Sequence, residues 1–445
     1  MATMPREKTM PREKTMPHKK LVPPGKVTTH RDHAPDSTLA LIRDGYRFIA
    51  NRCERYHSDI FETRLLLKPT ICLRGRDAAE LFYDPERFER HGAAPNRVSR
   101  TLLGVGGVQG LDGAAHRTRK RMLMSLMSPE RIEDLARLTE RSWRARIPAW
   151  QRAGRIVLHD EAGWILSRAV HDWAGIPLAE HDLRGRTAEL HAMIEGAGQR
   201  GIRHLRARQA RVSAERRIGD LVQRVREGAL DPPARSALRI IAEHRDHEGR
   251  PLEPRIAAVE LLNIVRSTVA LDRYITFTAV ALHSYPDRWS WLAGSADGAE
   301  LFVQEVRRFY PFFPVAAART RTAFDWRGHH FPRGRRVLLD LYGTNHHPDL
   351  WADPDEFRPE RFRDWAGDPF SFIPQGGGGH FQGHRCAGEW ITIELMKRAL
   401  TALTGAMRYD VPPQDLRISL RRIPTLPRSG FVITGVRPGP DQRPV

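Results

Sequence analysis

The run Phe372-Ile373-Pro374-Gln375-Gly376-Gly377-Gly378-Gly379-His380-Phe381-Gln382-Gly383-His384-Arg385-Cys386-Ala387-Gly388-Glu389 constrains this chain more than any other stretch. Four consecutive glycines let a loop turn tightly and lie close against a flat ligand, because glycine has no Cβ to forbid left-handed backbone. One cysteine follows, just ahead of Gly388 to Leu403, which reads as a long helix. The positive end of such a helix, with Arg385 and His384 adjacent, favours the thiolate of Cys386. The remaining cysteines, Cys53 and Cys72, have no comparable surroundings. Three sparse cysteines make no disulfide framework and show no zinc spacing, which fits a reducing cytoplasm.

Around this loop the chain reads as mainly α with a small β component. Residues 1–35 carry the tandem MPREKT repeat, rich in proline and lysine without apolar periodicity, and are expected to form a disordered basic tail. Asp36-Ser37 starts a helical pattern through Leu39, Leu41, Ile42 and Tyr46. Leu65 to Leu67 and Thr70 to Leu73 read as short strands. From about 114 to 310 the pattern is nearly all helical. After it come strands around Val337 to Leu341 and Gly430 to Gly435. No linker divides 36–437, and 438–445 read as a flexible tail. The formal net charge of +19 invites a nucleic-acid or membrane-surface reading. The charge is spread along the chain and no nucleic-acid module accompanies it, so a solvated basic surface that attracts anionic ligands fits better. No apolar run approaches a membrane span, and no signal core opens the sequence, so a soluble cytoplasmic protein is expected.

A thiolate presented across a glycine-rich loop suits the fifth ligand of a haem iron, where it donates electron density. A cysteine nucleophile paired with His384 is the rival. Three features favour haem. Glu305 and Arg308 stand one helical turn apart, in a segment ending at Tyr310-Pro311. Arg358-Pro359-Glu360-Arg361-Phe362 lies between that pair and the cysteine, where a loop charge can lock onto it. His116 and Lys120, four apart on a predicted helix, can both reach the carboxylates of a haem.

With these residues in order, the chain resembles the cytochrome P-450 superfamily. Glu305 and Arg308 match its E-x-x-R pair, and His384-Arg385-Cys386-Ala387-Gly388 matches the end of its haem-thiolate signature. Gly379 and Gln382 replace the usual Phe and Gly of that signature. The longer loop is similar to that of the bacterial fatty-acid peroxygenase branch. The resemblance covers roughly 36–437, including Val108 to Gly113, Phe302 to Tyr310 and Leu339 to Asn345. It implies a single helical fold enclosing haem b (iron protoporphyrin IX), with Cys386 as iron ligand and His116, Lys120 and His384 as haem-binding residues. It also implies a catalyst that takes a fatty acid and hydrogen peroxide and needs no redox partner.

In the central helix the family's acid-Thr pair has no acid: the matching segment is Leu261 to Ala270, with Arg266 in the key region before Thr268. Leu262, Val269 and Ala270 give it apolar neighbours, where a guanidinium is costly unless an anion pairs with it. A bidentate clamp for a substrate carboxylate meets that need. An Arg that snorkels to solvent or meets a structural carboxylate is the plainer alternative. The resemblance implies that the clamped carboxylate replaces the missing acid, shuttling a proton between the oxygens of hydrogen peroxide, and that oxidation falls on Cα or Cβ. Ser267 stands where the branch usually has Pro, which leaves the placement of Arg266 open. The resemblance also implies that Gln109, in the Gly106–Gly113 turn, stands on the distal side and favours hydroxylation over decarboxylation to an alkene, and that Leu103, where the family commonly has Phe, is expected to widen the distal pocket. A reductase-fed monooxygenase and a non-catalytic haem or fatty-acid binding protein stay open as alternatives. The pairs His329-His330 and His346-His347 fall in predicted turns and read as surface residues.

Overall fold

The computed structural model describes residues 30–32, 34–199 and 201–440. The MPREKT repeat and the last five residues lie outside them. Contacts are present ahead of residue 36: Arg31 bridges to Glu62, and the Asp32 carboxylate accepts from the buried Arg52 at 2.7 Å. Ser37 stands at the N-cap of the first helix, Thr38–Asp44, without a side-chain bond to it, and the Asp36 Oδ1 before it accepts from the Thr38 amide at 2.8 Å.

Helices run almost without interruption from Gly113 to Phe309, broken by one short strand, Arg155–Val157. Local signals set their ends. In Pro129–Ala153 the Ser128 hydroxyl accepts from the Arg131 amide, proline opens the first turn, and Gly154 ends it in a left-handed conformation (φ 67°). Its Trp143 and Trp150 meet edge to face at 5.7 Å inside the main apolar core, with Ile165, Leu261, Phe277 and Leu395. The helix Pro254–Val269 is buried nearly all round, including its polar residues Glu260, Asn263, Arg266 and Thr268. A helix sealed on every face must satisfy each of those groups internally or hold them for a ligand.

The larger sheet runs Ile60–Leu65, Lys68–Leu73, Arg336–Asp340, Val315–Thr320, Phe88–Glu89 in spatial order. Lys68–Leu73 pairs parallel with Arg336–Asp340, Ile71 opposite Val337. Parallel neighbours need a long crossover, and the whole helical body supplies it. Two strand expectations shift. Leu66 and Leu67 leave the strand for the hairpin turn, with φ of 52° and 61°, and the final strand is Val432–Pro438 rather than Gly430 to Gly435. The histidine pairs need correction too. His329 lies buried in the strand His329–Phe331, and His347 is buried with Nε2 3.1 Å from both Asp59 oxygens, so only His330 matches the surface expectation.

The helix Gly298–Phe309 carries Glu305 and Arg308, both wholly buried. Arg308 gives Glu305 two hydrogen bonds at 2.7 and 2.8 Å, and donates further to the carbonyls of Asn345, Pro354 and Glu356 at 2.9–3.1 Å. Those bonds match the five donors of a guanidinium. Glu305 also accepts from the Arg358 amide at 2.8 Å and faces Arg361 at 3.4 Å, so the 358–362 segment locks onto the pair as expected.

Candidate active site

Cys386 sits in the turn that precedes the helix Glu389–Thr401. Its amide donates to the Gln375 carbonyl at 3.1 Å, and Gln375 Nε2 lies 3.8 Å from Sγ. The two ends of the glycine loop are thereby tied across the sulfur. Gly376 and Gly378 have φ of 95° and 79°, and a Cβ on Gly377 would meet the Pro369 carbonyl at 2.8 Å. These three glycines are required by the loop's own path. Gly379 differs, since a side chain there would meet nothing within 4 Å.

The neighbours of Cys386 do not favour thiolate as expected. Arg385 turns away to Glu389, which it meets at 2.6 and 3.1 Å. Burial pushes His384 far below its usual pKa, so it is neutral. Burial, aided by the Glu389 charge, pushes the Cys386 thiol up. A bound metal ion reverses this, because a coordinating thiol is deprotonated outright. Glu389 itself gathers Arg307, Arg385 and His380; burial opposes its ionisation, but these cations hold its carboxyl well below the usual range.

Beside the loop, three buried basic groups lack a carboxylate partner among the described residues. Arg90 Nη1 has no hydrogen-bond partner at all, and burial pushes its guanidinium down to about 10. Lys120 donates to the Arg385 carbonyl and is pushed down to about 8 by burial. His116 stacks on His384 with ring centroids 3.9 Å apart, and burial, then Lys120, pushes it down to about 4. Arg90 and Lys120 are buried cations without anions, unstable as they stand, and with the neutral His116 beside them they fit a ligand that carries its own carboxylates. With Cys386 nearby, a haem meets that description. The expected set His116, Lys120, His384 and Cys386 does come together. Arg90 was not foreseen from sequence.

On the central helix, Arg266 is 4% exposed. Its Nη2 reaches the Asn263 Oδ1 at 3.4 Å and the Ser267 hydroxyl at 3.2 Å, and its Nε has no partner. Burial, then the charge of Arg211, pushes it down to about 9, which leaves it protonated at neutral pH. Cys386 is close enough to act on it electrostatically. The helix continues past Ser267 to Val269, and the Thr268 hydroxyl donates to the Ile264 carbonyl at 3.0 Å. Asn263 Nδ2 donates to Gln109 Oε1 at 3.2 Å, so Gln109, Asn263 and Arg266 form one polar line. The buried Glu260 accepts from the Val108 amide at 2.8 Å and from Arg119 at 2.6 Å, fixing the Gln109 turn against the helix. Leu103 packs against the small cluster of Leu102, Ile194 and Ala270. Asn263, one turn before Arg266, was the missed residue whose spacing could have announced it.

A fold of this kind around a cysteine loop defines a haem-thiolate protein, and the comparisons agree. The cytochrome P450 family model matches residues 299–430. Among solved structures, a variant of cytochrome P450SP alpha superposes with a TM-score of 0.90 at 52% identity, covering 91% of this chain and all of that one. Cytochrome P450EX alpha with myristic acid gives 0.91 at 47% over 93% of this chain and all of that one. A variant of cytochrome P450 OleT in complex with arachidonic acid gives 0.91 at 34%, over 94% of this chain and all of that one. Among curated relatives, cytochrome P450 71D94 of Mentha gracilis is 39% identical over 80 residues, 17% of this chain and 16% of its own length, and putative cytochrome P450 120 of Synechocystis sp. is 23% identical over 417 residues, 86% of this chain and 90% of its own length. The chain belongs to the cytochrome P450 family. Within it the chain stands in the fatty-acid peroxygenase branch, with P450SP alpha, P450EX alpha and OleT.

Proposed function

We propose that the protein is a cytoplasmic, haem b-dependent peroxygenase that uses hydrogen peroxide to hydroxylate fatty acids at the α or β carbon. The observation that carries this reading is Arg266, a buried cation with a free Nε and no carboxylate partner among the described residues. Haem held by Cys386 supplies the oxidising iron and the electron donation of its thiolate. Arg90 and Lys120 would offer charge, and His116 a hydrogen bond, to the carboxylates of a bound haem. Arg266 binds the substrate carboxylate and, with the Asn263–Gln109 line behind it, fixes where that group sits. A carboxylate so placed takes a proton from one peroxide oxygen and returns it to the other, the task of a general acid-base group. Anchoring the carboxylate leaves only the first carbons of the chain within reach, which limits attack to Cα or Cβ. Gln109, held by Asn263, carries no acidic proton and favours hydroxylation over decarboxylation. Relatives solved with myristic and arachidonic acids support the substrate class.

The test is to supply the haem-loaded protein with myristic acid and hydrogen peroxide, then separately with NADPH, ferredoxin and reductase. Hydroxylated product from peroxide alone is expected. Product only with the reducing partners would replace this reading with a conventional monooxygenase, and no product from either would make it a binding protein.

A further inference from the structure

Away from the haem pocket, a cluster of ligating side chains plays no part in the chemistry above. His159 lies in the first turn of the helix Leu158–Ala174, His191 on Leu183–Gly196, and Asp272 opens Asp272–Ser284. The Asp272 carboxylate is wholly buried and its oxygens are divided. Oδ1 accepts from Arg273 at 3.1 Å; Oδ2 lies 2.6 Å from His191 Nε2 and 3.7 Å from His159 Nδ1. The two imidazoles stack with centroids 5.2 Å apart. Gly163 makes room for them, because a Cβ there would come within 2.7 Å of the His191 ring. His159 Nδ1 is sealed from solvent and has no hydrogen-bond partner, which is a costly state for a ring nitrogen.

We propose that His159 Nδ1, His191 Nε2 and Asp272 Oδ2 form a site for a divalent transition metal, zinc first among them. One ligating atom from each residue lies within 4.8 Å of the others. With zinc bonds of about 2.0–2.2 Å, tetrahedral ligand atoms stand roughly 3.3 Å apart, a value that falls between the 2.6 and 3.7 Å separations found here. Two imidazoles and a carboxylate are a nitrogen-oxygen set that suits zinc, with water in the fourth place. Arg273 on Oδ1 acts as the outer partner that orients a ligating carboxylate. Its charge is met by Glu195, which also pairs with Arg422 at 2.9 Å, so the arginine does not repel the metal unopposed. The metal would join three helices. Because Asp272 follows directly on the helix that ends at Val269, it would also brace the C-terminal end of the Arg266 helix.

The haem-loaded full chain is stripped with EDTA, incubated with zinc chloride, passed through a desalting column and assayed for zinc and iron by mass spectrometry. One equivalent of zinc per chain and a higher unfolding midpoint are expected. His159→Gln leaves the Asp272 bonds to His191 and Arg273 in place, so it should fold, and should bind zinc at least tenfold more weakly. His330→Gln, at an exposed histidine beside Asp325, should bind as the wild type does. No retained zinc in the wild type, equal retention in His159→Gln, or equal loss in His330→Gln would each overturn the assignment.

Discussion

Arg308 and Arg266 are both buried arginines on helices of the core, and they are treated in opposite ways. Arg308 has a carboxylate from Glu305 and three backbone carbonyls, enough to occupy the whole guanidinium. Arg266 has two long contacts from one nitrogen and an empty Nε. A buried charge that is completely hydrogen-bonded belongs to the fold, whereas one left short is held for something that arrives later. The same contrast separates Glu389, ringed by Arg307, Arg385 and His380, from Lys120 and Arg90, which have no carboxylate among the described residues.

The comparison breaks if the two arginines respond alike. Glu305→Gln leaves Arg308 buried without its counter-charge and should destabilise the protein by about 3–5 kcal/mol, with loss of bound haem. Urea unfolding and the haem-to-protein absorbance ratio measure both. Arg266→Leu should do the reverse without substrate. Replacing an under-paired buried cation by an apolar side chain is expected to leave stability unchanged or raise it by roughly 1–4 kcal/mol, read from the same curves. A loss as large as that of Glu305→Gln would make Arg266 a structural residue. A smaller effect sharpens the rule for neutral groups. His171, whose ring nitrogen meets the Ser167 carbonyl at 2.7 Å, is pushed down to about 4 by burial. Its unfolded value is about 6.5, so on acidification the unfolded chain takes up the proton first. Stability should then fall between about pH 6.5 and pH 4, by on the order of 1–3 kcal/mol. His171→Gln should flatten that part of the pH–stability curve.

Sequence made the local parts of this arrangement legible. Cys386 with its glycine loop, the Glu305–Arg308 turn, the His116–Lys120 spacing and the apolar neighbours of Arg266 all sit within a few residues of one another, where helical period and glycine chemistry speak directly. What pairs across the chain was hidden. Gln109 and Asn263 are 154 residues apart, and Arg119 and Glu260 are 141 apart. Arg90 reads as one more surface arginine until the fold buries it. The thiol illustrates a subtler failure: Arg385 and His384 adjoin Cys386 in sequence, but Glu389 and burial take their charges out of play. His329 is hidden because turn residues and alternating strand residues look alike in short polar runs, and His347 because it is buried against Asp59, 288 residues away.

The central claim is that Arg266 holds a carboxylate that serves as acid-base group, and a small acid tests it most directly. Wild type and Arg266→Ala, both haem-loaded with an intact thiolate spectrum, are given hydrogen peroxide and styrene, a substrate with no carboxylate, with and without acetate. Acetate should occupy the clamp and raise wild-type styrene oxidation by tenfold or more, while changing the variant little. Equal stimulation of the two proteins, or no stimulation of either, would contradict the account, because the carboxylate would then act without Arg266 or not act at all.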